Sequence, residues 1–97
     1  YKRQLEKQIE QYLNKRVKES NGLTYKWIST VTGVPDRIVI LNKKSWFIEL
    51  KTPTGVLSER QKLVFKELEH HGQKVTIIRS KSDVENFINE ANQSRHE

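Results

Sequence analysis

The stretch Gly33-Val34-Pro35-Asp36-Arg37-Ile38-Val39-Ile40-Leu41-Asn42-Lys43-Lys44-Ser45-Trp46-Phe47-Ile48-Glu49-Leu50-Lys51 decides how this chain folds. Two β-rich runs, Arg37 to Leu41 and Ser45 to Leu50, flank the short polar link Asn42-Lys43-Lys44, which reads as a hairpin turn. Residues two apart in a strand face the same side. Trp46, Ile48 and Leu50 therefore share one face, and Phe47, Glu49 and Lys51 share the other. Taken alone, Glu49 and Lys51 read as a solvent-facing ion pair at a strand end. Asp36 changes that reading. An even hairpin loop keeps Asp36 on the face of Glu49. With Asn42-Lys43 as a two-residue turn, Asp36 lies opposite Glu49. With Lys43-Lys44 central, it lies opposite Lys51 and diagonal to Glu49. Either register puts the side chains within about 4.5–8 Å, close enough to share an ion. An odd loop or a bulge would break this parity. Two carboxylates this close repel each other unless a cation or proton intervenes. Hard oxygen ligands favour Mg²⁺ or Mn²⁺ over zinc. Lys51 is then placed to steady an attacking water or the charge developing on a phosphate.

Upstream, Arg3 to Ser20 predicts an amphipathic helix, with Leu5, Ile9, Tyr12, Leu13 and Val17 at three-to-four-residue spacing. Projected at about 100° per residue, Glu6 falls inside the apolar stripe and Glu10 at its edge. An inward Glu needs a partner, whereas an exposed one merely suits the helix dipole. Asn21-Gly22 supplies a helix stop. Leu23 to Ser29 predicts a strand, and Thr30 to Pro35 a loop.

Downstream, Thr52-Pro53-Thr54-Gly55 breaks the second strand of the hairpin. Ser58-Glu59-Arg60-Gln61 reads as a capping box, followed by Val64, Phe65 and Leu68 on the apolar face of a helix that Gly72 ends. Gln61 can close that box, or aim its amide at a water or phosphate in the cleft. Lys74 to Arg79 is a short Val/Ile strand. Ser82-Asp83-Val84-Glu85 caps a last helix with Val84, Phe87, Ile88 and Ala91 inward. The expected fold is α/β, in the order helix, three strands, helix, strand, helix (αβββαβα), with a mixed sheet flanked by helices.

With 97 residues there is room for one domain, spanning 1–97, with a frayed tail from about 92. The chain starts at Tyr1 and holds no Met, so its native start is expected to have been trimmed. No apolar run approaches the roughly 18 residues of a membrane span, so a soluble protein is expected. The absence of Cys excludes disulfides, thiolate zinc sites and thiol nucleophiles, and is compatible with an intracellular setting. Glycine-rich phosphate loops and Ser/His/Asp chemistry have no support. Eighteen basic against twelve acidic residues give a net charge of +6, which suggests a polyanionic partner, nucleic acid first. Lys26, Arg37, Lys43 and Lys44, interleaved with Tyr25 and Trp27, are the candidate DNA contacts.

Gly33-Val34-Pro35-Asp36, twelve further residues, and then Glu49-Leu50-Lys51 resembles the PD-(D/E)XK nuclease superfamily. With Glu6 in an early helix, Gly-Val-Pro-Asp-Arg at 33–37 and Gln61, the pattern is similar to the VRR-NUC domain family from Glu6 to about Phe87. The resemblance implies a restriction-endonuclease-like core and divalent-metal-dependent hydrolysis of DNA, with Mg²⁺ or Mn²⁺ as cofactor. Asp36 and Glu49 match the metal-binding acids, and the Leu50 carbonyl would be a backbone ligand. Lys51 matches the catalytic lysine, and Gln61 the glutamine that follows the motif. Glu6 matches the first-helix acid, acting directly or through a water, with Glu10 in its place if the helix register slips.

The short chain resembles stand-alone phage or bacterial members, which are similar to Holliday junction resolvases. That implies a homodimer acting on branched double-stranded DNA at four-way junctions, in the cytoplasm of a bacterial host. Trp46, Phe65 and Tyr12 are interface candidates. The alternatives are a flap, splayed-arm or nicking nuclease of the same fold, or a non-catalytic basic DNA-binding module.

Overall fold

The computed structural model describes residues 2–93. Its elements are α1 (Lys2–Glu19), β1 (Leu23–Lys26), β2 (Arg37–Leu41), β3 (Lys44–Leu50), α2 (Glu59–His70), β4 (Val75–Ile78) and α3 (Lys81–Gln93). The strands form one sheet in the order β1-β2-β3-β4, antiparallel except for the parallel pair β3–β4. The αβββαβα order and the mixed sheet are therefore as expected. α2 is the crossover that a parallel pair requires.

The hairpin turn has two residues. Asn42 (φ 55°) and Lys43 (φ 67°) are both left-handed, the backbone of a type I′ turn. Leu41 pairs with Lys44, so β3 begins one residue earlier than Ser45. That twist-matched turn fixes the register of the whole hairpin.

α1 ends as the sequence predicts, but Asn21 rather than Gly22 takes the left-handed position (φ 63°). The Gly22 N–H donates to the Val17 carbonyl at 2.9 Å, and the Asn21 N–H to Lys18 at 3.0 Å, which closes a Schellman motif. Gly22 is needed for room instead: a Cβ there would sit 2.8 Å from the Ile40 carbonyl oxygen. β1 stops at Lys26, short of the expected Ser29. The Trp27 N–H still reaches the Asp36 carbonyl at 2.9 Å, after which the chain leaves the sheet. α3 is capped by Ser80, not Ser82. Ser80 Oγ accepts the Asp83 N–H at 3.1 Å, and Asp83 turns back to the Arg79 N–H at 2.8 Å. Asn92 and Gln93 continue α3; the rest of the expected tail, 94–97 with His96, lies outside the described residues.

The core lies on one face of the sheet. Val39, Leu41, Trp46, Ile48, Leu50 and Ile78 meet Ile9, Leu13 and Val17 of α1 and Val84, Phe87, Ile88 and Ala91 of α3. Each large side chain fully buried here contributes about 1.5–3 kcal/mol over staying in water. The Tyr12 hydroxyl and the Nε–Nη2 edge of the Arg16 guanidinium donate to the Glu85 carboxylate, clasping α1 to α3. α2 covers the opposite face through Val64 and Phe65. The proposed interface residues are thus used inside the fold. Trp46 is buried edge-on to Phe87, Phe65 is buried on the inner face of α2, and Tyr12 is held by Glu85. No described helix is long and apolar enough to cross a membrane.

Candidate active site

β2 and β3 bring the two acids together. Arg37 pairs with Ile48, so the next pair toward the strand end is Asp36 with Glu49. Asp36 Oδ2 accepts the Leu50 N–H at 2.8 Å. A strand residue's N–H and C=O point toward the same neighbour, so the Leu50 carbonyl faces the side from which Asp36 comes. Glu49 is 2% exposed. Its Oε2 accepts from Gln61 Nε2 at 2.8 Å, and Lys51 Nζ lies 3.6 Å away. Its Oε1 is buried with no hydrogen-bond partner. Leaving a buried acceptor unpaired costs about 1–3 kcal/mol, and a cation beside it would recover that cost.

Burial, then the neighbouring Asp36 charge, push the Glu49 carboxyl up to about 7, against the pull of Lys51 and Gln61. Burial also raises Asp36, opposed by the Leu50 N–H and reinforced by the negative charge of Glu10. Glu49 rises from an ordinary 4.5, so between those values the folded chain holds a proton that the unfolded chain has released. The stabilisation that Glu49 contributes to the metal-free fold is therefore fully present below about pH 4.5 and is lost as the pH rises through about 7. Urea unfolding in EDTA should give a lower midpoint at about pH 8 than at about pH 5. Glu49→Gln should remove most of that difference.

An open cleft of about 450 Å³ lies at this strand end, lined by Glu6, Lys7, Glu10, Lys26, Asp36 and Leu50. Both first-helix acids reach it, one turn apart. Glu10 Oε2 accepts from Arg37 Nη1 at 2.8 Å. Glu6 is half-buried and takes no hydrogen bond from the described residues. Among the described residues, no three His, Cys, Asp or Glu side chains converge into a closed cage. The donor set is two carboxylates and a backbone carbonyl, all oxygen. That suits an ion which keeps several waters or takes phosphate oxygens, as Mg²⁺ does.

Of the candidate DNA contacts, Lys26 lies on the cleft wall. Arg37 is buried rather than presented at the surface: it is 9% exposed, and its guanidinium is held by Glu10 and Thr24. Alternation turns it away from the Asp36 face, under α1. Lys43 and Lys44 are not near the cleft. They sit at the hairpin turn, the other end of β2, and at about 3.3 Å per residue that is roughly 20 Å from Asp36.

Gln61 makes two contacts at once. Its Oε1 accepts the Ser58 N–H at 2.9 Å and closes the capping box, while its Nε2 reaches Glu49. Gln61→Ala should therefore lose about 1 kcal/mol of stability and activity together. Gln61→Glu keeps the cap but sets a carboxylate against Glu49, so melting temperature and turnover should separate in that variant.

Two positions carried no signal in the sequence. Lys7 lines the cleft. Arg79 donates to the carbonyls of Thr52 and Gly55, pinning the bend just after Lys51. Gly33 (φ 98°), expected in the loop before Asp36, lets that loop pass against α2, where an added Cβ would lie 3.0 Å from the Arg60 carbonyl oxygen.

A family model described as "VRR-NUC domain" matches residues 1–82. A solved structure titled "VRR_NUC domain" superposes with a TM-score of 0.80 at 25% identity, over 87% of this chain and 94% of that one. No curated protein matches.

Proposed function

Because the chain belongs to the VRR-NUC domain family, whose members are nuclease domains, we propose that it is a divalent-metal-dependent, structure-selective DNA endonuclease. Its proposed substrate is a four-way junction, which it would cut as a homodimer. The observation that carries this reading is the Asp36–Glu49 pair at one strand end, with a buried Glu49 oxygen left unpaired and Lys51 beside it.

Asp36, Glu49 and the Leu50 carbonyl are the residues that would hold Mg²⁺ or Mn²⁺. The ion, when bound, offsets phosphate charge and makes water acidic enough to act as a nucleophile. Gln61 holds one oxygen of the Glu49 carboxylate and leaves the other without a partner, as the oxygen that would meet the ion. Lys51 offers its ammonium to the charge that grows on the phosphate as water attacks phosphorus in line. The P–O3′ bond breaks, giving a 5′-phosphate and a 3′-hydroxyl. Lys7 and Lys26 on the cleft wall would meet backbone phosphates on either side of the cut. Such contacts carry no sequence information, so affinity should fall steeply with salt and follow DNA shape.

The dimer is proposed on symmetry. Two sites about a two-fold axis supply the paired cuts that a four-way junction needs. The test is cleavage of labelled four-way, flap and linear DNA with Mg²⁺, alongside light scattering of the free protein. Paired cuts in opposed strands and twice the chain mass are expected. A monomer that cuts flaps and leaves four-way DNA whole would replace the substrate while keeping the site.

A further inference from the structure

The geometry points to Arg37 as a positioning residue that fixes the Glu10 carboxylate in the cleft, making Glu10 the ordered first-helix acid of the Asp36–Glu49 site. This rests on the metal-dependent reading above.

Arg37 follows Asp36 directly, so strand alternation sends the two side chains to opposite faces. Its Nη1–H donates to Glu10 Oε2 at 2.8 Å, and its Nε–H to Thr24 Oγ1 at 3.0 Å. The Thr24 hydroxyl in turn donates to Asn14 Oδ1 at 3.1 Å. Glu10 and Asn14 are one turn apart on α1. The guanidinium is therefore tied to that helix at two points, once directly and once through β1. A planar fork held at both edges has little freedom left, which a flexible ammonium would not reproduce.

An ion pair between helix and sheet can serve stability alone. What sets this one apart is where its carboxylate ends. Glu10 lines the same cleft as Asp36 and Leu50. The negative charge of Glu10 bears on Asp36; a carboxylate beside another is repelled unless a cation offsets it, and the Arg37 side chain, 11% exposed, supplies one. Glu6 also reaches the cleft but has no such tether among the described residues. Partners that orient ligands in this way govern metal affinity, typically by about 10–100-fold.

The test is calorimetric Mn²⁺ binding to the full, DNA-free chain, with melting curves recorded on the same samples. The variants are Arg37→Met, Glu10→Gln, the two combined, Glu6→Gln, and Asp36→Asn as the control for the metal site. Arg37→Met and Glu10→Gln should each weaken Mn²⁺ binding about tenfold or more. The double variant should be no worse than the weaker single, because the two residues act as one unit. A drop in melting temperature with unchanged Mn²⁺ affinity in Arg37→Met would reduce the pair to a structural one and overturn the inference. If Arg37→Met does not fold, the glutamate variants decide. Loss of affinity in Glu6→Gln with none in Glu10→Gln overturns the inference, and the reverse supports it. Unchanged binding in Asp36→Asn would sink the metal reading itself, a failure distinct from that of Arg37.

Discussion

Glu49→Gln is expected to abolish strand cleavage, by about 10³-fold or more, while the chain stays folded. A bound metal supplies several kcal/mol of charge stabilisation in such reactions, and each 1.36 kcal/mol is about tenfold in rate. The variant removes a charged oxygen ligand and keeps the shape of the side chain. It also relieves a cost in the metal-free fold. The carboxylate is 2% exposed, its Oε1 has no partner, and burial beside Asp36 pushes it up to about 7. The neutral amide should therefore raise the melting temperature at pH 8 in EDTA. Turnover and melting temperature move in opposite directions, which an unfolding mutation cannot mimic. Near-normal cleavage by the variant would remove Glu49 from the site.

Lys51→Met should cost about 10²–10³ in cleavage rate, the usual effect of losing one group aimed at transition-state charge, while Mn²⁺ binding persists. The Lys51 side chain is 19% exposed, and its ammonium lies 3.6 Å from Glu49 Oε2. It can act on the phosphate, or only by keeping Glu49 ionised. Single-turnover rates across a Mg²⁺ series separate the two. A defect that persists at saturating Mg²⁺ places Lys51 at the reacting phosphate. A defect that high Mg²⁺ erases means it serves Glu49 alone.

The hairpin was legible because its parts agree. The strand runs are rich in β-branched and aromatic residues, the short Asn42-Lys43 turn joins them through left-handed backbone, and that turn sets Asp36 against Glu49. Element order was legible from Asn21-Gly22, the Ser58 cap and Gly72, since each acts through local backbone chemistry. Long-range partners were not. Arg37 looks like any basic residue before an apolar run. Only the packing of α1 on the sheet shows that Glu10 and Thr24 take its guanidinium. Lys43 and Lys44 looked close to the cleft because sequence distance hides the roughly 20 Å length of a strand. Tyr12, Trp46 and Phe65 read as surplus apolar surface, because nothing local reveals Glu85, Phe87 or the cover of α2. For Gln61, spacing shows the cap but not the Glu49 contact: one amide has two ends, and the fold turns one to the Ser58 N–H and the other to Glu49.

The most direct test of the account is cleavage of end-labelled four-way DNA by the wild-type chain, first with Mg²⁺, then with excess EDTA, then with Mg²⁺ restored. Cutting, complete arrest and recovery are expected in that order. Cutting that survives EDTA, or intact DNA under both Mg²⁺ and Mn²⁺, would contradict a metal-dependent nuclease built on Asp36 and Glu49.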